Sequence, residues 1–228
     1  MELSDDVAKE FWTNYDEYKN ALRALNRVSG KRSGEMTDEE AQKILTGNLD
    51  RQTKEVQLKK DFYEKSEKLI SYKQLYQMER GEEEFNRQLF ERYKKSQGRS
   101  SSHAAKPSKG QFEKVKAQKV AFLTEKMNLT VDESKAFWPV YNGYEEDMRE
   151  LKRQGWNKKE EMDDTKAKEV LFSGIDRQNK EIQLKKDFYT KASEVVPYKK
   201  LLLMERGERE FRQKLFEGYK KNHSKGRK

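Results

Sequence analysis

A charged stretch that ends in two adjacent aromatic residues lies at residues 50–63, which read D-R-Q-T-K-E-V-Q-L-K-K-D-F-Y. Residues 176–189 repeat this stretch with two differences. Lysine or arginine beside phenylalanine and tyrosine attracts acidic chain segments, and modest apolar contacts then hold those segments weakly. The repeated stretch is therefore a candidate site for a client or partner protein. Its candidate residues are Arg51, Lys59, Lys60, Phe62 and Tyr63 in the first copy, and Arg177, Lys185, Lys186, Phe188 and Tyr189 in the second.

The two aromatic residues of each copy are adjacent in the chain, and adjacent residues of a helix point to different sides. We therefore expect at least one of Phe62 and Tyr63, and one of Phe188 and Tyr189, to lie near a surface or an interface between modules. Three interpretations are open for these side chains. They form a module interface, they bind a client, or they are simply solvated.

Enzymatic and metal chemistry have few suitable residues in this chain. The sequence contains no cysteine, no glycine-rich phosphate loop and no nucleophile motif. Its two histidines, His103 and His223, fall in a predicted linker and a predicted tail, and a metal site needs several convergent ligands. The sequence thus predicts a protein that is not an enzyme, with no cofactor and no metal.

The repeated stretch belongs to a longer internal repeat with an offset of 126 residues. Residues 1–97 align without a gap to residues 127–223, and 45 of the 97 aligned positions are identical. The repeat predicts two tandem modules. Residues 1–97 form the first module, residues 98–111 a flexible basic linker, and residues 112–228 a second module with an opening helix at 112–126 and a basic tail. The first module has no counterpart of that opening helix.

Composition and periodicity predict an all-α fold built from long helical hairpins. Charged residues make up 40% of the chain, and only three prolines interrupt it. Thr130 and Glu133 have the spacing of a capping box, and Pro139 predicts a kink or a lost hydrogen bond in the helix that follows. Apolar residues at heptad spacing predict a core seam at Phe11, Tyr15, Tyr18, Leu22 and Leu25, repeated at Phe137, Tyr141, Tyr144, Met148 and Leu151.

The net charge of +9 lies mostly in the linker, the opening helix and the tail, because residues 1–97 are almost neutral. Mixed charges along the long helices are typical of solvated faces and not of a phosphate-tracking surface. Nucleic-acid binding by the linker and tail is therefore a minor hypothesis. No apolar run approaches the length that would span a membrane.

Two short motifs of the second module carry a family resemblance, namely Leu-Thr at 129–130 and F-W-P-V-Y at 137–141. The first module has Leu-Ser at 3–4 and F-W-T-N-Y at 11–15. With these motifs the chain resembles the helical periplasmic proteins of the Spy/CpxP class, especially the Bacteroidetes branch of periplasmic sensors. The family signature Leu-Thr-x-x-Gln has Glu133 here in place of glutamine.

The resemblance implies an elongated, curved, cradle-like protein in the periplasm that binds unfolded proteins without ATP or senses envelope stress. Members of the class are usually homodimers, so two modules in one chain would form an intramolecular pseudo-dimer or take part in a homodimer. It also implies a secretion signal and a first helix upstream of Met1, which makes a trimmed chain our expectation.

The leading hypothesis is accordingly a non-enzymatic, ATP-independent chaperone for unfolded or partly folded proteins. The alternative is a sensor or regulatory partner-binding protein of an extracytoplasmic sigma-factor pathway. Because the first module lacks a counterpart of 112–126, we expect it to leave an apolar strip open, either to a partner or to helix 112–126 of another chain.

Overall fold

The computed structural model of the chain describes residues 4–26, 36–96, 109–153 and 161–225. These residues form seven α-helices and no β-strand, which confirms the predicted all-α fold. In chain order the helices are α1 (Asp5–Asn26), α2 (Asp38–Ser66), α3 (Tyr72–Ser96), α4 (Lys109–Lys126), α5 (Val131–Arg153), α6 (Asp164–Ser193) and α7 (Tyr198–Lys225). The serine- and glycine-containing segment 28–34 predicts a break after the first helix, and Trp156 falls in the corresponding predicted loop of the second repeat. Both, like most of the linker with His103, lie outside the described residues.

The helix starts follow the capping residues of the sequence. At α5 the Thr130 N–H donates to Glu133 Oε2 at 2.7 Å, and the Glu133 N–H donates to Thr130 Oγ1 at 3.2 Å, so the predicted capping box is confirmed. Thr37 and Glu40 make the same pair of bonds at the start of α2, at 3.0 and 3.2 Å. Helix α5 is continuous through Pro139, whose missing N–H removes one intrahelical hydrogen bond.

The helices assemble into two compact units that differ from the modules expected from the repeat. Unit 1 contains Met1–Gly34, Thr46–Gly98 and Glu145–Lys186, and unit 2 contains Glu35–Leu45, Arg99–Tyr144 and Asp187–Lys228. Each unit therefore takes its helices mainly from one repeat and a segment from the other. The sequence repeat marks where similar side chains recur, whereas the compact units follow which side chains pack together.

Unit 1 shows this mixture in its core. Its buried cluster consists of Phe11, Val56, Phe62, Tyr63, Ile70, Tyr72, Leu75, Ala167, Leu171 and Ile175. The last three residues come from α6 of the second repeat, and they complete a core that otherwise belongs to α1, α2 and α3 of the first. Phe11, Tyr15 and Tyr18 belong to this cluster or pack against it, so the predicted aromatic seam of α1 is confirmed.

In each unit, an aspartate of one repeat also accepts a hydrogen bond from the first turn of a helix of the other repeat. In unit 1 the carboxylate of Asp164 accepts the Lys73 N–H of α3 at 2.8 Å. In unit 2 the carboxylate of Asp38 accepts the Lys199 N–H of α7, also at 2.8 Å. Both contacts satisfy a first-turn amide that has no partner within its own helix. Because Asp163 caps α6 itself, Asp164 remains available for α3.

Unit 2 buries Phe137, Tyr141 and Phe188 and adds α4, which packs along α7. The Phe122 and Phe211 ring centroids lie 5.7 Å apart where these two helices meet. Leu123 and Met127 at the end of α4 are fully buried. None of the described helices is long and apolar enough to cross a membrane.

Candidate protein-binding surface

The repeated stretch lies in α2 and α6, and its first aromatic residue is a core residue. Phe62 is 3% exposed and packs against the aromatic residues of α1. Its ring stacks on Tyr18 with centroids 4.9 Å apart and lies 6.0 Å from Phe11 and 5.8 Å from Tyr15. Phe62 thus holds α2 against α1 within the first repeat.

Tyr63 points to another side of α2 and is 1% exposed. Its ring centroid lies 6.0 Å from that of Phe172, which belongs to α6 of the second repeat. The client-surface interpretation is therefore wrong for both Phe62 and Tyr63, because α2 is covered on two sides. Tyr63 instead lies where residues of the two repeats meet inside unit 1.

The second copy is buried in the same way. Phe188 and Tyr189 are 3% and 4% exposed. Phe188 stacks on Tyr144 with ring centroids 4.6 Å apart, and the Tyr189 hydroxyl donates to Glu205 Oε1 at 2.6 Å. A surface role is excluded for this pair as well.

Burial also sets the protonation of these tyrosines. Loss of hydration raises the pKa of Tyr63 and of Tyr189, and the nearby carboxylates of Glu79 and Glu205 raise each pKa further. Burial likewise raises the pKa of Tyr18 to about 12. All three hydroxyls stay neutral at physiological pH, so they serve packing and hydrogen bonding and are not poised for acid–base chemistry.

The lysines of the first copy are paired with carboxylates. Lys59 Nζ lies 3.0 Å from Glu79 Oε2 and 5.5 Å from the ring centroid of Tyr63. Lys60 Nζ lies 3.7 Å from Glu64 Oε1, one helical turn away. Lys59 therefore ties α2 to α3, and its charge is partly neutralised by the helix it contacts.

The remaining predicted residues are spread around the two helices. Arg51 Nη2 donates to Asn48 Oδ1 at 3.1 Å. Arg177 and Lys186 are exposed, whereas Lys185 is half-buried. The structure does not bring the basic and aromatic residues together as one exposed surface. A role for the basic residues in attracting a client stays a prediction.

An open pocket of about 840 Å³ lies in unit 1, where α1 and α2 of the first repeat meet α6 of the second. Its aromatic wall includes Tyr18, Phe62 and Phe172. Lysine–glutamate pairs line its rim. They join Lys65 to Glu17 and Lys168 to Glu67, each at 3.7 Å and substantially exposed. Such exposed ion pairs contribute only about 0–1 kcal/mol to folding stability. The charged side chains at the rim are therefore not held rigidly in place.

Helix α3 exposes two large apolar side chains on one side. Phe85 is 66% exposed and Leu89 is 55% exposed. Gly81 lies one turn before Phe85 on the same side, and a Cβ placed there would meet nothing within 4 Å. We call these three residues the α3 face. Among the described residues these two apolar side chains are open on the first repeat, and their covering by a partner or by helix 112–126 of another chain stays a prediction.

The same positions of the second repeat are covered by α4. Phe211, the counterpart of Phe85, is 8% exposed. A Cβ placed on Gly207, the counterpart of Gly81, would lie 2.8 Å from Leu123 Cδ2. We call Gly207, Phe211 and Leu215 the α7 face. The side of α4 that packs on it is centred on Phe122 and Leu123.

Periodicity predicts an apolar side of α4 made of Phe112, Val115, Val120, Ala121 and Phe122, and this is wrong for Ala121, which is exposed. Periodicity also predicts Phe85 and Leu89 on the apolar side of α3, but the candidate site does not include them. The signal that could have identified them is the repeat itself. In the alignment of α3 with α7, Phe85 and Leu89 correspond to Phe211 and Leu215 of the α7 face, on which the opening helix α4 packs.

Within the described residues, no group of three or more histidine, aspartate or glutamate side chains is placed to hold a metal ion. Comparison of the chain with protein-family models, curated proteins and solved structures gave no match.

Proposed function

We propose that this chain is a non-enzymatic protein-binding module that holds unfolded or partly folded proteins without ATP. The observation that carries the proposal is the α3 face, where Phe85 and Leu89 are both more than half exposed. Scattered apolar side chains are normal on surfaces, whereas adjacent large ones on one helix face are typical of interaction sites. A periplasmic location is part of the proposal and rests on the family resemblance.

The charges near the α3 face have partners within the chain. Glu82 accepts the Tyr15 hydroxyl and lies 3.3 Å from Lys19, and Glu84 pairs with Arg87 of the same helix. Glu83 points to a different side of α3 from Phe85. We therefore propose that the exposed apolar residues bind apolar client segments with no preferred sign of charge.

A second candidate function is the regulatory one, in which a dedicated partner of an envelope-stress pathway binds the chain. The observation that favours it is the α7 face, which accepts α4 as a well-packed helix. A surface that can seat an ordered helix suits a specific partner as well as it suits an unfolded client.

Aggregation of a chemically denatured, unrelated protein tests the leading proposal. We expect stoichiometric amounts of the intact chain, without ATP, to reduce light scattering, and higher salt to change the effect little because the contacts are apolar and the nearby carboxylates are paired. Phe85→Ser with Leu89→Ser should remove most of the suppression, while Asn86→Ser on the same helix should leave it intact. If the folded wild-type chain does not suppress aggregation, the chaperone proposal fails.

A further inference from the structure

We infer that the pocket of unit 1 is a binding site for a short zwitterionic peptide with an apolar residue in its middle. The N-terminal ammonium of this peptide lies beside Asp61 and its C-terminal carboxylate beside Lys68, and both residues line the pocket. None of the three residues of the α3 face lines it. The inference therefore concerns a second site and goes beyond the proposed function.

The pocket has the size of a ligand site. Its volume of about 840 Å³ falls within the roughly 300–1,000 Å³ that such sites occupy. Its wall is aromatic and its rim carries side chains of both charges. A ligand that fills it therefore needs an apolar middle and charged ends.

Two half-buried rings provide the apolar wall. Tyr18 of α1 stacks on Phe62 with ring centroids 4.9 Å apart. Phe172 of α6 is held by Tyr63 and Tyr72, whose centroids lie 6.0 and 5.9 Å from its own. The remaining surface of Tyr18 and of Phe172 is accessible in the pocket. Because both rings are already held in place, an apolar residue can pack on them with little loss of side-chain freedom.

Most charges at the rim are already paired within the chain. Three ion pairs, each at 3.7 Å, join Glu17 to Lys65, Glu67 to Lys168 and Glu64 to Lys60. The carboxylates of these pairs each have a cation close by, so a ligand cation gains little from them.

Two opposite charges of the rim remain. Asp61 is half-buried, and its one partner among the described residues is the neutral side-chain amide of Gln57, which donates to Oδ1 at 2.7 Å. Lys68 is exposed, and no carboxylate in the described part of the chain lies within ion-pair distance of its ammonium. A ligand with an ammonium at one end and a carboxylate at the other complements both charges.

The spacing of these two charges sets the length of the ligand. Helix α2 ends at Ser66, and the Ile70 N–H still donates to the Ser66 carbonyl at 3.0 Å, so the turn keeps the helical rise. Asp61 and Lys68, seven residues apart, then lie on the same side and roughly 10 Å apart along the axis. An extended chain of three residues spans at most about 10–11 Å. A tripeptide thus reaches from one charge to the other.

The α1 side of the pocket adds a group that suits a peptide backbone. Asn14 lines the pocket and is half-buried, and its carboxamide has no hydrogen-bond partner among the described residues. A carboxamide both donates and accepts hydrogen bonds, as a peptide group does. This side chain favours a peptide over an aliphatic zwitterion of the same length.

The positions related to these by the repeat carry different groups. Glu194 corresponds to Lys68, Thr46 to Phe172 and Val140 to Asn14, whereas Asp187 retains the charge of Asp61. The related positions therefore lack the cation, the ring and the carboxamide. We expect one peptide site per chain.

Isothermal titration calorimetry of the intact chain with the tripeptide alanyl-phenylalanyl-alanine tests the inference. We expect saturable binding of one peptide per chain. Phe172→Thr should weaken binding roughly tenfold, because the apolar contact is lost. Replacing the phenylalanine of the peptide by alanine should have a similar effect, and this change tests the same contact without altering the protein.

Asp61→Asn and Lys68→Gln test the two ends separately. Asp61→Asn keeps an acceptor for Gln57, so the variant should stay folded. Each variant should bind the free tripeptide roughly threefold to fivefold more weakly. An N-acetylated tripeptide should bind Asp61→Asn and wild type equally, and a C-amidated one should bind Lys68→Gln and wild type equally. Lys54→Gln, at an exposed position of α2 outside the pocket, is the matched control and should bind like wild type.

Absence of saturable binding would overturn the inference. So would blocked peptides that bind wild type as tightly as the free tripeptide, and so would two peptides bound per chain. Phe85→Ser with Leu89→Ser should leave tripeptide binding unchanged, and its loss in this variant would place the peptide on the α3 face instead.

Failure of this inference is distinguishable from failure of the proposed function. Tripeptide binding by a chain that does not suppress aggregation would reject the chaperone proposal and keep the pocket site. Suppression of aggregation without tripeptide binding would do the reverse.

Discussion

Ser66 is fully buried at the end of α2, and among the described residues its hydroxyl has no hydrogen-bond partner. A buried hydroxyl without a partner loses its hydration and regains nothing, at a cost of about 1–3 kcal/mol. The second repeat has Ala192 at this position, also fully buried. Ser66 and Ala192 are thus equivalent buried positions that differ only in the serine hydroxyl.

We expect Ser66→Ala to raise the free energy of unfolding by about 1 kcal/mol, because it removes the unsatisfied hydroxyl without leaving a large cavity. Urea denaturation followed by circular dichroism measures the change. Ser71→Ala is the opposite control. The Ser71 hydroxyl accepts the Gln74 N–H at 3.2 Å as a helix cap, so its loss should destabilise the chain. A destabilised Ser66→Ala variant would show that the hydroxyl has a partner in solution.

For the paired aromatic residues, the sequence predicts the directions of the side chains but not which residues cover them. The rule that neighbours on a helix point apart is correct, and Phe62 and Tyr63 do so. The further expectation, that at least one of them lies near a surface or an interface between modules, agrees with Tyr63, which packs where residues of the two repeats meet. Phe172 of the other repeat supplies the second cover, and nothing in the local sequence of α2 indicates it.

Helices α3 and α7 have closely similar sequences and different surroundings, which makes their glycines a matched pair. Gly81→Ala should stabilise the chain by roughly 0.5–1 kcal/mol, because alanine is the better helix former and the site is open. Gly207→Ala should give no such gain, because the new Cβ would lie 2.8 Å from Leu123 Cδ2 and push α4 away. Thermal unfolding of the two variants checks the difference. An equal rise in stability for both variants would mean that α4 can shift to accommodate the new side chain at little cost.

The helices themselves were largely predictable, because their start signals are local. Thr130 with Glu133 caps a helix where its spacing predicted, and Thr37 makes the same kind of cap with Glu40. Ends were less predictable. Helix α2 stops at Ser66, and the turn that follows brings Ile70 into the core, whereas periodicity suggested that the helix runs on to Ile70.

At the scale of the whole molecule, the repeat predicted that two similar parts exist but not how they share segments. Both copies offer nearly the same side chains, so the pattern fits packing within a repeat as well as packing between repeats. The structure gives unit 1 its α6 residues, and Asp164 with them, from the second repeat. Contacts between such distant positions leave no periodic trace in a single sequence.

A fragment of residues 1–97 tests this sharing. Without Ala167, Leu171 and Ile175 the unit 1 core lacks one wall, so we expect the fragment to melt at lower temperature and with less cooperativity than the intact chain. Adding a fragment of residues 98–228 in equal amount should restore helix content and melting temperature, as followed by far-ultraviolet circular dichroism. A fragment 1–97 that melts like the intact chain would contradict the shared core.

The shared core also sets the order of events during synthesis. The ribosome adds roughly 5–20 residues per second, so α6 is made on the order of ten seconds after α3 is complete. During that interval the face of α2 that carries Tyr63 has no cover, and the nascent first repeat exposes apolar surface that the finished protein hides. The vulnerability of this chain to aggregation in the cell is therefore set by the time between its two halves, and slowing translation between them would lengthen it.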